Sequence, residues 1–202
     1  MNIVVLAGGL STERDVSLNT GTMVSKALRS KGHNVIMLDV FMGYHEEEED
    51  ITDIFNHTEE ASADVAQIPG EAPDIAQVKA MRKDQSACFF GPNVIKICQA
   101  ADIVFMALHG ENGENGKIQA AFDLFGIQYT GSRYLGSALA MDKGISKKMF
   151  EAAGIPTPHG IAMSKTQRHS PFSETGLTLP CVVKPCCGGS SIGVTIVRTA
   201  DE

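Results

Sequence analysis

The stretch MNIVVLAGG (residues 1–9) decides the fold of this chain, because it joins a short apolar run to a pair of glycines. Residues 2–7 are rich in Val and Ile, which is typical of a strand buried on both faces of a parallel sheet. The glycines allow a tight turn at its end. Apolar residues then recur at near-helical spacing from Val16 to Leu28, and a second strand is predicted over 34–40. Strand, helix and strand make a βαβ unit.

Downstream elements extend this pattern and then change in character at Gly131. The periodicity predicts helices over 92–100, 117–125, 134–141 and 143–153, and strands over 102–108, 127–129, 181–184 and 194–198. The predicted fold class is α/β, with an open parallel sheet and flanking helices over 1–130, followed by the first part of an α+β domain over 131–202. The last two strands have no following element to pair with, so we expect the second domain to be incomplete.

An acidic segment interrupts the first domain. Positions 44–75 hold eleven carboxylates and no Lys or Arg, and removing these charges from the formal net charge of −7 leaves +4 for the remainder. We interpret the insertion, about 44–90, as irregular structure or a mobile lobe at the domain edge. The remaining positive charge is too diffuse for a nucleic-acid surface, which needs clustered Lys and Arg. Nucleic acid is therefore not an expected partner.

The apolar runs and the cysteines indicate in which cellular compartment the protein is expected. No apolar run approaches the ~20 residues that a membrane-spanning helix needs, and the N-terminus has no basic leader. We therefore expect a cytoplasmic protein with no membrane partner. The five cysteines lack the spacing of zinc or redox motifs, and we interpret them, including adjacent Cys186 and Cys187, as reduced structural thiols.

Two polar loops follow predicted strands and are candidate binding loops. The first, GGLSTERD over 8–15, lacks both the dinucleotide fingerprint and the P-loop pattern, and on spacing alone Glu13 and Arg14 are more typical of a surface ion pair than of a site. The second, HGENGENG over 109–116, opens a helix whose N-terminus favours an anion, and it contains the candidate residue His109. Because the carboxyl ends of parallel strands meet at one sheet edge, the two loops should face one cleft.

A glycine-rich segment in the second domain is a further candidate. Residues 189–193 form the predicted tip of a hairpin whose N–H groups and hydroxyls suit phosphate oxygens, and Lys184 projects from the preceding strand. Glycine-serine hairpins are common turns, so this signal alone is weak. Together with Lys143 on an upstream helix, the segment predicts a two-lysine clamp for a nucleotide.

Four segments together resemble one enzyme family. They are GGLSTERDVS (8–17), HGENGENGKIQA (109–120), GSRYLGSALAMDK (131–143) and VVKPCCGGSSIGV (182–194). In order and spacing they are similar to segments of the D-alanine–D-alanine ligase family of ATP-grasp enzymes, and the resemblance covers the chain apart from the acidic insertion. It implies a pre-ATP-grasp N-terminal domain, a partial ATP-grasp domain, and ATP-dependent joining of two D-alanine molecules through an acyl phosphate for peptidoglycan precursor synthesis.

The resemblance also implies roles for individual residues. Glu13 corresponds to the acid that meets the ammonium of the first D-alanine, and His109 lies near the carboxylate of that substrate. The implied substrate-binding residues are Glu13, Val16, Ser17 and His109. The implied ATP-binding residues are Lys143, Lys184, Gly189, Ser190 and Ser191. Ser190 matches a hydroxyl linked to Glu13, and these two are the implied catalytic residues.

Other implications of the resemblance concern groups outside this sequence. Mg²⁺ is implied beside ATP, but its ligands are expected beyond Glu202, so no metal ligand is expected in this chain. The resemblance also implies pairing of two copies through the N-terminal domain. The alternatives are a ligase that takes D-serine or D-lactate second, and a non-catalytic binding fragment. The CCG turn at 186–188 departs from the polar or charged residues common in the family, which puts any extra contact from that turn in doubt.

Overall fold

The structure is a computed structural model and describes residues 1–44, 51, 53–56, 72–167, 169–189 and 191–199. The chain forms two compact units, Met1–Gly136 and Ser137–Glu202. The predicted domain boundary after residue 130 stays a prediction. The predicted α/β class is confirmed, because helices alternate with the strands of a parallel sheet and a separate strand pair follows.

A three-stranded parallel sheet forms the centre of the first unit. Its strands are β1 (Asn2–Ala7), β2 (Asn34–Asp39) and β3 (Ile103–Met106), in the order β2-β1-β3. Within the central strand, Val4 lies opposite Ile36 on one side and Val104 on the other. Tyr129 adds an isolated parallel bridge to Val104 in place of the predicted short strand over 127–129. The central position of β1 explains its uninterrupted apolar run, because both faces are covered.

Helices flank this sheet and continue into the second unit. They are α1 (Arg14–Arg29), α2 (Ile75–Met81), α3 (Val94–Ala100), α4 (Lys117–Phe125), α5 (Tyr134–Met141) and α6 (Lys143–Ala152). Asp15 lies in the first turn of α1, where its carboxylate faces the positive end of the helix dipole. Gly126, with φ of +68°, ends α4 as predicted. No helix in the described part of the chain has the length and apolarity needed to cross a membrane.

Alternate residues of β1 face two hydrophobic layers. Ile3, Val5 and Ala7 face the layer that packs against α1, whereas Val4 and Leu6 face the layer that contains side chains of α3 and α4. The helix α1 lies very close to the sheet at its midpoint. A Cβ added to Gly21 would lie 2.8 Å from the Cβ of Ala7, so the close approach requires glycine at this position.

The described part of the acidic insertion is mostly turns and irregular chain, but it also holds one helix and several buried side chains. Ile51, Ile54 and Phe55 are buried in the layer that contains α3 and α4, and residues 75–81 form α2. The Arg82 side chain is also buried, with its guanidinium carbon 4.8 Å from the centre of the Phe41 ring. Most of the carboxylates lie outside the described residues. The interpretation of the whole insertion as irregular structure or a mobile lobe therefore stays a prediction.

The second unit has no buried residue among those described. Its strands, β4 (Cys181–Val183) and β5 (Thr195–Val197), pair antiparallel with Val182 opposite Ile196. These two side chains are 55% and 51% exposed, although both are apolar. The last two strands therefore expose apolar side chains. Two short 3₁₀ turns, Lys165–Gln167 and Phe172–Glu174, lie between α6 and β4.

Candidate functional site

The loop after β1 is shaped by two glycines and by a carboxylate at the end of β2. Gly8 and Gly9 have φ of +73° and +84°, a region that disfavours other residues. A Cβ added to Gly8 would lie 2.3 Å from a carboxylate oxygen of Asp39. Asp39 in turn accepts hydrogen bonds from the backbone N–H groups of Phe41 and Met42, at 2.9 and 3.0 Å. Glycine at position 8 therefore lets the chain turn directly over Asp39.

Arg14 belongs to the scaffold of this loop. Its guanidinium pairs with the carboxylate of Asp39 and donates to the carbonyl oxygen of Gly9 at 2.8 Å. The two charged side chains are 12% and 15% exposed, so solvent screens the pair less than it would screen one on the surface. The expectation of a surface pair between Arg14 and Glu13 is wrong for Arg14, because spacing in sequence does not reveal a partner at the end of another strand.

Ser17 closes the loop from the inside. It is fully buried, and its Oγ accepts a hydrogen bond from the Gly8 N–H at 2.9 Å and donates one to the Ala107 carbonyl oxygen at 2.8 Å. This side chain therefore joins the ends of β1 and β3 to the first turns of α1. Val16 lies beside it and is partly exposed. The implied role of both residues in lining a substrate pocket stays a prediction.

The two candidate loops of the first unit contact each other. Ser11 Oγ donates to the His109 carbonyl oxygen at 2.7 Å and accepts from the Glu13 N–H at 3.0 Å. A Cβ added to Gly110 would lie 2.7 Å from Oε2 of Glu13. The prediction that these loops face one another at the carboxyl edge of the sheet is confirmed. Glu13 and His109 therefore lie in one cluster, although their sequence positions are far apart.

The ring of His109 lies against α1. Its Nε2 is 3.0 Å from the hydroxyl oxygen of Thr20, which also donates to the Val16 carbonyl oxygen at 2.9 Å. Both the backbone and the ring of His109 are therefore held, the first by Ser11 and the second by Thr20. The ring stays partly exposed, so it can reach a ligand at the loop surface.

The rest of the second loop folds back onto the start of α4. Gly113 has no room for a side chain, since an added Cβ would lie 2.4 Å from the Cβ of Leu108. Gln119 is 6% exposed, and its Nε2 donates to the Gly113 carbonyl oxygen at 2.6 Å. Gly116, with φ of +85°, precedes the first residue of α4. The loop is thus a fixed structure with its glycines at positions where larger residues would not fit.

Lys143 binds the glycine-rich turn of the second unit. Its Nζ donates to the carbonyl oxygens of Gly188 at 2.7 Å and Cys186 at 3.4 Å, and its backbone N–H donates to Cys186 at 2.9 Å. Lys143 and Lys184 both line an open groove of about 1410 Å³ within this unit. The exposed residues of this turn include Lys184, Gly189 and Ser191, whereas Ser190 lies outside the described residues.

Comparisons with known proteins place this geometry in one family. Residues 2–132 match the family model described as the D-ala D-ala ligase N-terminus, and residues 149–202 match the D-ala D-ala ligase C-terminus. This chain belongs to the D-alanine–D-alanine ligase family. The D-alanine–D-alanine ligase of Lacticaseibacillus casei is 42% identical over 205 residues, which cover 100% of this chain and 56% of that protein. The chain thus spans about half the length of the curated relatives it matches.

Solved structures of the family have the same fold. Structures of the D-alanine–D-alanine ligase from Bacillus anthracis, without and with ATP, match with TM-scores of 0.64 and 0.63 at 30% and 27% identity. The two matches cover 50% and 52% of the Bacillus anthracis chains and 100% of this chain. The VanG D-Ala:D-Ser ligase from Enterococcus faecalis matches with a TM-score of 0.62 at 29% identity, covering 99% of this chain and 56% of that one. The family resemblance found in the sequence is confirmed.

The described residues of this chain do not form a binding site for magnesium. Among the described residues, no group of three His, Cys, Asp or Glu side chains could hold a metal ion. The expectation that the metal ligands lie beyond Glu202 stays a prediction.

Sequence analysis missed four residues that build the ligase loops: Ser11, Thr20, Asp39 and Gln119. Asp39 could have been found, because it ends a buried parallel strand at the same edge as the two loops. Thr20 lies one helical turn after Val16 and so shares its face of α1. Ser11 and Gln119 make contacts that depend on how the loops fold, and no local pattern indicates them.

Proposed function

We propose that this chain provides the site for the first amino acid, and part of the ATP site, of an enzyme that joins two D-alanine molecules at the expense of ATP. The observation that carries the proposal is the contact between the two loops of the first unit, which brings Glu13 to the Gly110 backbone beside His109. These residues lie at the sheet edge where open α/β folds bind ligands. Membership of the family supplies the reaction class.

The loop cluster suits a zwitterionic amino acid. Glu13 presents a carboxylate, which is the natural partner of a substrate ammonium, and His109 presents an imidazole that can donate to a substrate carboxylate when protonated. Both side chains are partly exposed, so neither must leave the core to meet a ligand. Val16 borders this proposed pocket from the first turn of α1, and the fully buried Ser17 supports the loop behind it. The rigid loop around Gly113 lowers the entropy cost of binding.

The glycine-rich turn of the second unit suits the phosphates of ATP. Lys143 holds its ammonium against two carbonyl oxygens of the turn, and Lys184 is exposed in the same groove. Two ammonium groups can neutralise a polyphosphate, and the backbone N–H groups near Gly189 and Ser191 can donate to its oxygens. When bound, ATP supplies the phosphoryl group that activates a carboxylate. The role of Ser190 rests on the family resemblance alone.

Three further parts of the proposal concern the longer protein. The second substrate is D-alanine, with D-serine as the alternative favoured by the likeness to VanG. The enzyme acts in the cytoplasm, where ATP is available. Two copies pair through the first unit, where Leu124 and Phe125 of α4 are 89% and 48% exposed and offer an apolar contact surface.

Calorimetric titration of the 202-residue chain tests the amino-acid site. We expect D-alanine to bind more tightly than L-alanine, and Glu13→Gln to weaken D-alanine binding about tenfold or more, because a hydrogen bond to a charged group is lost. Glu111→Gln is the matched control, since Glu111 is an exposed carboxylate in the facing loop. Equal binding of the two enantiomers, or equal effects of the two substitutions, would show that the assignment is wrong.

ATP titration tests the nucleotide site in the same way. Lys184→Ala should weaken ATP binding about tenfold, whereas Lys165→Ala, which removes an exposed lysine outside the groove, should leave it unchanged. In the longer protein, ADP release should require D-alanine, and the mass of the product distinguishes D-alanyl-D-alanine from D-alanyl-D-serine. Binding of both ligands without ADP release would instead support a non-catalytic role.

A further inference from the structure

The hydrogen bond between Thr20 and His109 has a direction that the surrounding contacts define. The Thr20 hydroxyl donates to the Val16 carbonyl oxygen at 2.9 Å, a bond between residues four apart in a helix. A hydroxyl has a single proton to donate, and here that proton is used within α1. The same oxygen lies 3.0 Å from Nε2 of His109. While that proton is directed to the Val16 carbonyl oxygen, the hydroxyl oxygen accepts at this contact and Nε2 carries the hydrogen.

We propose that Thr20 is a positioning residue that holds His109 in the Nε2–H form and leaves Nδ1 as the ring nitrogen available to a ligand. Within the part of the chain that the structure describes, Nδ1 of His109 makes no hydrogen bond to another residue. A neutral imidazole protonated on Nε2 has an acceptor lone pair on Nδ1. Thr20 thus determines which nitrogen meets the ligand and in which chemical form.

The orientation of the ring is held at two points. Ser11 holds the backbone of His109 by donating a hydrogen bond to its carbonyl oxygen at 2.7 Å. Thr20 holds the ring itself. Rotation of the ring about its χ angles would break the contact with Thr20. Because α1 is packed closely on the sheet at Gly21, the next residue, Thr20 has little freedom to follow such a rotation.

One consequence rests on the proposed function. If the D-alanine carboxylate contacts Nδ1, the ring needs a second proton, because the proton on Nε2 is already donated to Thr20. Binding of the carboxylate at Nδ1 would then be coupled to uptake of a proton by the ring. The charged groups on the ring's own loop and on the adjoining start of α1 are Glu13, Arg14, Asp15, Glu111 and Glu114.

Nitrogen NMR of the full chain tests the positioning role without any substrate. With ¹⁵N-labelled histidine at about pH 8, where the ordinary ring is neutral, long-range ¹H–¹⁵N spectra distinguish the two neutral tautomers. His109→Gln identifies the signals of His109. We expect the Nε2–H pattern in the unsubstituted chain and in Thr20→Ser, and a mixture of both tautomers in Thr20→Val, which keeps the branched shape but has no hydroxyl.

The matched control is Thr22→Val. Thr22 makes the same bond within α1, to the Leu18 carbonyl oxygen at 2.9 Å, but its hydroxyl otherwise contacts the sulfur of Met37, at 3.7 Å. This substitution should leave the His109 signals unchanged. An Nδ1–H pattern in the unsubstituted chain would overturn the inference, and so would an unchanged pattern in folded Thr20→Val. If the valine variant does not fold, Thr20→Ala, which also lacks the hydroxyl, is compared with the unsubstituted chain in the same way.

Addition of D-alanine to the same sample separates the inference from the proposed function. Conversion of His109 to the doubly protonated form supports the coupling between carboxylate binding and ring protonation, and Thr20→Val should then weaken D-alanine binding about three- to tenfold. If the unsubstituted chain has the Nε2–H form but D-alanine leaves the ring neutral, the positioning role of Thr20 stands. The proposed contact between His109 and the substrate carboxylate is then wrong.

Discussion

The two units differ in how they hold their parts in place. In the first unit, the site loops rest on a buried sheet and are tied by buried or half-buried hydrogen bonds, such as those of Ser17. In the second, every described residue is at least partly exposed, and the glycine-rich turn is held by Lys143 and by backbone contacts. The first unit therefore has the apolar burial that offsets the entropy of folding, whereas the described part of the second does not.

The largest expected difference between the two units is in the reactivity of their cysteine thiols. Cys98 is 1% exposed in the first unit, and burial raises the pKa of its thiol from 9.0 to about 12. That shift lowers the thiolate fraction at neutral pH about a thousandfold, since each pKa unit is a factor of ten. Cys187 in the second unit is exposed. Timed labelling with a thiol reagent, read by mass spectrometry, should modify Cys187 promptly and Cys98 only after unfolding.

The same pKa shift makes the first unit sensitive to alkali. The unfolded chain loses the Cys98 proton above about pH 9, whereas the folded chain retains it to about pH 12. Between these values the folded state binds more protons, so stability falls as the pH rises. Cys98→Ala should reduce this slope in a urea titration. Rapid labelling of Cys98 in the folded protein would contradict the comparison between the units.

Core truncation should give the next largest difference. Phe122 is fully buried and stacks on Phe90 with ring centres 6.1 Å apart, so Phe122→Ala should lower the free energy of unfolding by about 3–5 kcal/mol. Phe172 in the second unit is 40% exposed, and Phe172→Ala should cost less than about 1 kcal/mol. Urea unfolding followed by circular dichroism measures both. Similar losses would mean that Phe172 is buried in solution.

A smaller difference in stability is expected between two serine substitutions, one in each unit. Ser17→Ala removes two buried hydrogen bonds and leaves the Gly8 N–H and the Ala107 carbonyl without this partner, which should cost about 2 kcal/mol. Ser146→Ala in α6 removes a half-buried bond to the Leu139 carbonyl oxygen and should cost about 0.5–1 kcal/mol. The same urea measurement applies. A smaller loss for Ser17→Ala than for Ser146→Ala would argue against the role of Ser17 in joining the strand ends.

The smallest difference should come from two glycines with nearly equal backbone conformations. Gly110 and Gly154 have φ of +74° and +69°, so alanine costs about 1 kcal/mol of backbone strain at either position. Only at Gly110 would the new methyl group also meet Glu13, whereas Gly154 faces open space. Gly110→Ala should therefore weaken D-alanine binding in calorimetry, and Gly154→Ala should leave it unchanged. Equal affinities would argue that Glu13 does not depend on this contact.

Much of the fold could be predicted from the sequence, because its signals are local. The observed bounds of β1 and α4 are those predicted, since a continuous Val/Ile run and a glycine stop are strong signals over few residues. The burial of Ile51 and Phe55 in the acidic insertion was not predicted, because it depends on packing against distant residues, which the surrounding charges conceal. Helix α1 begins before Val16, where no apolar residue indicates its first turn.

Less of the candidate site could be predicted. The contact between the loops of Glu13 and His109 followed from the rule that parallel strands end at one edge. The pairing of Arg14 with Asp39 did not, since it joins residues on different elements. Ser190 lies outside the described residues, so its predicted role is untested. Long-range hydrogen bonds are set by tertiary geometry, and no spacing rule in a single sequence encodes them.

Substitution of Gly21 should disturb the candidate site, although Gly21 is not one of the residues proposed to contact a ligand. A methyl group there would lie 2.8 Å from Ala7 and 2.9 Å from Met37, so α1 would have to lift from the sheet. Thr20 and Ser17, within one turn of it, would move with the helix. In a deep mutational scan selected for activity, substitutions at this inward-facing position should therefore score like substitutions of a ligand contact, and proximity to bound substrate would be a poor guide to tolerance.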